Sequence, residues 1–199
     1  MLCRAFFCPY LNLFINFTAM NLRGKGLALT LIVVFSVCVM ACTPPAHSGD
    51  RQFHSAVEYN DFILEQQNSI IRRMLLLNEL YDRGTDSEIR SAFDSLVIQC
   101  DESLACINAL SAYEEDSVLK TDAQRLFVFY DGIFHKEYKR MLDIFLKGEL
   151  ASEAEVEELN QIVIQVGEQE AKLSEALSKS QAKFSKQHGF DFASSAAPN

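Results

Sequence analysis

Apolar positions recur with a helical period along most of the chain after residue 55. Ile63, Ile70 and Leu77 repeat every seven residues, and Met74 and Tyr81 lie in the neighbouring row. Such a narrow, coiled-coil-like seam is typical of a helix in an antiparallel bundle. No alternating apolar and polar run bounded by turn residues indicates a β-strand. The pattern therefore predicts an all-α domain.

Turn and capping signals divide this region into helices. The first helix is predicted from about Ser55 to Asp82 and ends at Gly84, because glycine accepts the left-handed conformation common after helices. Thr85 and Glu88 have the spacing of a capping box, which begins the second helix. The second helix has seven seam positions at alternating steps of four and three: Ile89, Phe93, Leu96, Cys100, Ser103, Ile107 and Leu110.

The third helix is predicted to begin at a cap on Asp116 or Ser117 and to run to Lys147. Gly132 lies in its middle, where glycine costs about 1 kcal/mol relative to alanine. We therefore expect Gly132 to allow the close approach of another helix. The apolar side of the third helix is mainly aromatic, with Phe127, Phe129, Tyr130, Phe134, Tyr138 and Phe145.

A second capping box, Ser152 with Glu155, begins the fourth helix, which is predicted to end before Gly189. This helix is longer than its neighbours, at about 1.5 Å per residue. Part of it should therefore overhang, and Phe190 and Phe192 should fold back onto that end. Its apolar positions are Val156, Leu159, Val163, Val166, Leu173, Leu177 and Phe184.

Four amphipathic helices joined by short turns predict an antiparallel up-down-up-down four-helix bundle over residues 55–192. Residues 42–54 are polar and contain two prolines, so they are predicted to be a tether before the bundle. Residues 193–199 are predicted to be a disordered tail.

An uncharged apolar run lies upstream, over residues 27–41, and it follows the basic residues Arg23 and Lys25. A membrane-spanning helix needs about 20 apolar residues, whereas the core of a signal peptide needs about 7–15. The length of the run and its basic flank therefore predict a signal peptide over residues 1–41.

The end of this run, Val39-Met40-Ala41-Cys42, resembles the lipobox of bacterial lipoproteins. The resemblance implies that Cys42 is the lipid attachment site and that cleavage occurs just before it. Ala41 is small enough for a peptidase pocket, whereas Met40 stands where a smaller residue is usual. The predicted location is therefore extracytoplasmic, with the chain anchored to a membrane by its lipid.

Residues 1–19 precede a complete signal and carry only one charge, on Arg4. The favoured explanation is a misassigned start, with Met20 as the true one; the alternative is the first arm of a hydrophobic hairpin. Thr43 after the cysteine offers no acidic retention signal. In a cell with two membranes this favours the outer membrane or the cell surface.

Charge restricts the partners. The signal region holds three basic residues and no acid, so the 18 basic and 27 acidic residues of the chain become 15 and 27 after residue 41. The resulting net charge of −12 disfavours nucleic acid and anionic lipid surfaces as partners. This charge favours solubility and cations or basic partners, and an envelope or host protein is the partner considered.

Three stretches, residues 59–70, 126–138 and 185–192, resemble an uncharacterised family of helical bacterial surface lipoproteins. The resemblance implies a lipid-anchored helical domain and supplies no catalytic residues. The first functional hypothesis is a non-catalytic binding or structural role in the cell envelope. The alternatives are a small-molecule or lipid carrier that uses the Phe-rich side of the third helix, and an enzyme with Glu137 and Glu170 as paired carboxylates.

Polar residues at core positions are the main candidates for a site. Asn60 and Gln67 fall on the seam of the first helix and Glu170 on that of the fourth, while Glu137 is expected to face inward on the third. Gln67 and Glu170 are expected to meet near mid-bundle. A polar layer that fixes helix register is the favoured interpretation, ahead of a pocket for a cation or polar ligand.

Cys100 and Cys106 are the thiols that remain after Cys42. Six residues along one helix separate them by about 9 Å, beyond the usual span of a disulfide, about 4–7 Å between Cα atoms. A buried Cys100 with a near-surface Cys106 is favoured, ahead of a disulfide across a broken turn and of a redox function.

Metal motifs are not found in the sequence. A di-iron bundle needs Glu-x-x-His motifs, which the chain lacks, and the cysteines have no nearby zinc-binding spacing. The acidic cluster Glu153, Glu155, Glu157 and Glu158 is expected to interact with the helix dipole, because no EF-hand spacing accompanies it. No metal and no cofactor is therefore predicted.

Overall fold

The computed structural model describes residues 52–191, and within that range the fold is all-α. Three segments follow one another without a break and form the third rod of the bundle: α3, a π-helical turn and α4. The elements are α1 (Ala56–Arg83), α2 (Asp86–Asn108), α3 (Val118–Ile133), the π-turn (Phe134–Tyr138), α4 (Lys139–Phe145), a 3-10 turn (Gly148–Leu150) and α5 (Glu153–His188). The prediction of an antiparallel up-down-up-down four-helix bundle is confirmed.

The predicted helix starts are confirmed. The side chain of Ser55 caps α1, and the capping boxes of Thr85 with Glu88 and of Ser152 with Glu155 begin α2 and α5. The sequence allows either Asp116 or Ser117 to cap α3. There the Asp116 carboxylate accepts a hydrogen bond from the Val118 N–H at 2.9 Å, while the side chain of Ser117 makes no capping bond.

The predicted role of Gly84 is wrong. Its backbone is extended, with φ −81° and ψ 160°, rather than left-handed. Its N–H donates to the carbonyl oxygen of Leu80 at 2.7 Å, and a Cβ at this position would lie 2.7 Å from the same oxygen. Glycine is therefore needed here for close backbone approach. Gly189 has the left-handed conformation predicted for it, with φ 71°.

Mainly aliphatic side chains fill the interface between α1 and α2. The seam residues Ile63, Ile70 and Leu77 of α1 are buried, as predicted. All seven predicted seam positions of the second helix are buried as well, although the last of them, Leu110, lies beyond the end of α2. The hydroxyl of Tyr59 in α1 donates to the carbonyl oxygen of Ser111 at 3.0 Å, which fixes the register of the two helices at that end.

The π-turn follows from the spacing of large side chains in the third rod. Leu126, Tyr130, Phe134 and Tyr138 are all buried and succeed one another at intervals of four residues. Three such steps over-rotate a regular α-helix by about 120°, because 3.6 residues complete a turn. The wider π-turn absorbs the extra residue and keeps both Phe134 and Tyr138 in the core.

Gly132 does not have its predicted role. It is exposed, and no atom lies within 4 Å of the position that a Cβ would take. It therefore allows no close helix approach.

The start of α5 departs from the prediction. Val156, expected on the apolar face, is exposed, whereas Leu159, Val163 and Val166 are buried. Within residues 52–191 no helix combines the length and apolar character that a membrane crossing requires.

An aromatic cluster closes the end of the bundle at which the described chain both starts and stops; we call this the terminal end. Tyr59 and Phe184 lie 5.8 Å apart between ring centroids, and Tyr113 from the α2–α3 connection lies 5.4 Å from Tyr59. Phe190 folds back to 6.1 Å from Phe184, as predicted. The same prediction for Phe192 lies outside the described residues.

The α2–α3 connection has an unusual backbone. Glu114 and Glu115 are consecutive non-glycine residues with positive φ, 45° and 69°. They are the central residues of a turn in which the Asp116 N–H donates to the Tyr113 carbonyl at 2.8 Å. This turn directs the Tyr113 ring into the terminal aromatic cluster, 5.6 Å from Phe184.

Candidate functional site

Glu170 is the buried carboxyl group at the interface between α3 and α5. Its Oε1 accepts a hydrogen bond from the hydroxyl of Tyr130 at 3.2 Å, and the residue is 6 % exposed. Burial raises the pKa of Glu170 to about 8, although the Tyr130 hydrogen bond partly offsets this. At neutral pH the folded chain therefore holds Glu170 mainly in the protonated, uncharged form.

Two tyrosines surround this carboxyl group. Burial, followed by the proximity of Glu170, raises the pKa of Tyr130 well above its usual range, and the same causes raise that of Tyr138. Ser174 lies one helical turn after Glu170 and partly offsets the rise in the pKa of Tyr130, but its buried hydroxyl has no hydrogen-bond partner of acceptable geometry among the described residues. Glu170 and these tyrosines thus form a neutral polar network enclosed by aromatic rings.

The other three predicted polar positions do not join this network. Gln67 and Glu137 are half-buried, and no hydrogen bond among residues 52–191 links Gln67 to Glu170. Glu137 falls short of the predicted inward position because the π-turn brings Tyr138 into the core instead. Glu137 lies seven residues beyond Tyr130, about 10 Å along the rod. It is therefore not paired with Glu170 as a second carboxylate.

Asn60 lies near the terminal end and is completely buried. Within the described part of the chain, neither atom of its side-chain amide has a hydrogen-bond partner, and the amide nitrogen of Gln181 in α5 also lacks one. A buried polar group without a partner costs about 1–3 kcal/mol. Burial of the Asn60 amide therefore costs stability in the folded chain.

The two cysteines match the favoured prediction. Cys100 is buried, Cys106 is half-buried and both lie on the continuous helix α2 without a disulfide, so the alternative of a disulfide is wrong. Burial, with smaller contributions from Asp131 and Asp101, raises the pKa of the Cys100 thiol to about 12. A thiol that resists ionisation is a poor nucleophile.

The acidic residues at the start of α5 have structural partners. Glu155 receives a hydrogen bond from the Lys147 ammonium and caps the helix through Ser152, and these contacts lower its pKa to about 2. The Arg140 guanidinium binds Glu158, with Nε–Oε1 at 2.8 Å. Arg140 thereby joins α5 to α4, and Lys147 joins it to the turn between the two helices.

Sequence patterns missed one cluster altogether. Asp101 of α2, Asp131 of α3 and His135 of the π-turn bring one oxygen or nitrogen each to within 4.8 Å of one another. They come from two rods, and Asp101 and His135 are 34 residues apart in the sequence. The one local signal is the four-residue spacing between Asp131 and His135, which places both on one helical face.

The predicted lipid attachment site, Cys42, lies outside the described residues. Comparison with protein families, with curated proteins and with solved structures found no match to this chain. The two resemblances drawn from the sequence therefore stay predictions.

Proposed function

We propose that the chain is a lipid-anchored cell-envelope protein whose helical bundle has a non-catalytic binding or structural role. The observation that carries the proposal is the order of signals in residues 20–45: a basic start, a short apolar run, a small residue and Cys42. A lipid on Cys42 would place all of the described bundle outside the cytoplasm.

The topology of the bundle is compatible with such an anchor. The first helix begins at Ala56, so the tether from Cys42 spans at most about 50 Å at 3.3–3.6 Å per residue. The terminal end, with its aromatic cluster, is the end that the tether joins, and the opposite end is the one farther from the attachment point along the chain. That distal end consists of the α1–α2 turn around Gly84 and the turn that contains Leu150.

The distal end also presents an apolar side chain. Leu150 is 88 % exposed, the highest value among the large apolar residues that the structure describes. Glu149 precedes it and Glu153 begins the next helix, so its sequence neighbours are acidic. Acidic neighbours disfavour an anionic surface as the partner of this side chain.

Packing of the third rod favours this role over a carrier. The aromatic side proposed to hold a ligand is filled by the protein itself: Phe127 and Phe134 are completely buried, and the Tyr130 and Phe134 rings stack at 5.9 Å. The separation of Glu137 from Glu170 likewise does not favour a reaction that needs paired carboxylates.

The anchor is tested by the intact mass of the chain extracted from membranes. We expect a mass of residues 42–199 plus a diacylglyceryl and an acyl group. Cys42→Ser should lose the lipid mass and retain the signal. Cys38→Ser is the matched control, because it removes a thiol four residues earlier in the same segment and should leave the lipidated mass unchanged.

Two results would contradict the anchor. A wild-type mass that still includes residues 20–41 would show that the apolar run itself holds the chain in the membrane. Lipid mass on the Cys42→Ser variant would place the lipid on another residue.

A further inference from the structure

Three potential metal ligands converge on the outer face of the contact between α2 and the third rod. His135 Nε2 lies 3.2 Å from Asp101 Oδ1 and 3.6 Å from Asp131 Oδ1. The side chains are between 37 % and 51 % exposed, so solvent reaches the point on which they converge. We call these three residues the Asp-Asp-His triad.

The fold itself positions the triad. Asp101 follows the buried Cys100 in α2, while Asp131 lies between the buried residues Tyr130 and Ile133 of α3. His135 follows the buried Phe134 in the π-turn, and such turns often occur at functional sites. Each ligand is therefore adjacent to a residue held in the core, and packing limits how far the three can separate.

The spacing fits a small cation. Zinc binds imidazole nitrogen and carboxylate oxygen at about 2.0–2.2 Å, which separates neighbouring ligand atoms of a tetrahedron by about 3.3–3.6 Å. The two measured distances from His135 Nε2 are close to that range. The ligand set also matters, because an imidazole with carboxylates suits zinc and similar transition ions, whereas calcium and magnesium favour oxygen ligands alone.

We propose that Asp101, Asp131 and His135 form a binding site for a first-row divalent transition ion, with Zn²⁺ as the probe. The protein supplies three ligands, and the exposed side of the site leaves room for water to complete the coordination. The ion would join α2 to the third rod and neutralise two carboxylates that otherwise repel each other. The competing arrangement is an ion-free cluster in which His135 contacts the two aspartates directly.

The test uses the full chain without a polyhistidine tag, purified in mild detergent and titrated with Zn²⁺ against a chelator of known affinity. We expect one ion per chain. Asp101→Asn and His135→Gln should each weaken binding at least tenfold, since even the loss of an outer-shell partner costs about 10–100-fold in metal affinity.

Two variants are matched controls. Asp94→Asn removes an exposed carboxylate from the same helix as Asp101, and His54→Gln removes an exposed imidazole outside the triad. Both should bind Zn²⁺ as the wild type does. Far-UV circular dichroism should show the same helix content in all variants.

The proposal fails if the wild type takes up no stoichiometric ion, or if the triad variants bind as tightly as the controls. If a triad variant does not fold, X-ray absorption at the zinc edge of the wild type decides the question. Nitrogen and oxygen neighbours at about 2.0–2.2 Å with the outer scattering of one imidazole support the site. Sulfur at about 2.3 Å would place the ion on a cysteine and overturn the proposal.

Discussion

The α1–α2 interface and the α3–α5 interface are built from different kinds of side chain. Between α1 and α2, Ile63, Ile70, Leu96 and Ile107 are completely buried and the heptad spacing is regular. The third rod instead faces α5 with aromatic rings, a π-turn and the hydrogen bond from Tyr130 to Glu170. One bundle therefore combines an aliphatic half with an aromatic and polar half.

The difference shows what large side chains demand of a helix. Leucine and isoleucine at steps of three and four fit the grooves of a regular α-helix. Rings at Tyr130, Phe134 and Tyr138 follow steps of four, and the backbone widens to keep them in the core. Because burial of such rings contributes a large share of core stability, the packing determines the local helix geometry here.

Truncation of core side chains should have the largest effect on the free energy of unfolding. It tests whether the aliphatic half and the aromatic half depend on each other. Phe127→Ala in the aromatic half should lower the free energy of unfolding by about 3–5 kcal/mol, and Leu96→Ala in the aliphatic half by about 2–5 kcal/mol, because both side chains are completely buried. Chemical denaturation followed by far-UV circular dichroism measures both.

Val128→Ala is the control for Phe127→Ala, since it is the next residue and is 55 % exposed. Its effect should stay within about 0.5 kcal/mol. A Phe127→Ala variant as stable as the control would mean that the aromatic half adds little to the fold. Two separate unfolding transitions in the wild type would mean that the halves unfold independently.

The next largest effect on stability comes from the buried carboxyl group of Glu170, and this effect depends on pH. The pKa of Glu170 rises from an ordinary 4.5 to about 8 on folding. Between those pH values the unfolded chain loses a proton that the folded chain keeps. Stability from this group is therefore complete below about pH 4.5 and falls by about 1.4 kcal/mol per pH unit until about pH 8.

Glu170→Gln should remove this loss, because a neutral amide has nothing to ionise. We expect the variant to be more stable than the wild type by about 4 kcal/mol at pH 8 and by about 1 kcal/mol at pH 5. Denaturation of both proteins at several pH values measures the difference between their free energies of unfolding. Contributions from groups that titrate equally in both proteins cancel in this difference. Glu168→Gln changes an exposed residue of the same helix and should retain the wild-type dependence of stability on pH. If the stability of Glu170→Gln changed with pH in parallel with that of the wild type, the prediction would be contradicted.

Local patterns predicted the aliphatic half well. The seven seam positions of the second helix follow from spacing within one helix, and the capping boxes follow from residues three apart, so both are visible in a short stretch of sequence. Glu170 was also placed on the seam of its helix correctly. Its partner was not, because Tyr130 lies 40 residues away and only the packed bundle brings the two together.

The π-turn explains why the rest of the third rod was harder to predict. A regular heptad continued from Tyr130 places Glu137 in the core, whereas the inserted residue places Tyr138 there. The same turn carries His135, so the Asp-Asp-His triad depends on a local geometry that a regular period does not contain. A prediction of the π-turn would have required a comparison of the four-residue spacing of the rings with the seven-residue spacing of the heptad.

Gly132→Ala should give the smallest effect and bears directly on that geometry. Gly132 precedes the π-turn by two residues, is exposed and has no atom within 4 Å of a Cβ position. Alanine should therefore raise the free energy of unfolding by about 0.4–1 kcal/mol, because it restricts the unfolded chain without a clash in the folded one. A destabilised variant would instead show that glycine helps the rod to widen, and packing of the rings would then not be the sole origin of the π-turn. Repeating the change with Phe134→Leu, which reduces the ring demand, separates these causes: if packing alone drives the turn, the gain from alanine should be the same in both backgrounds.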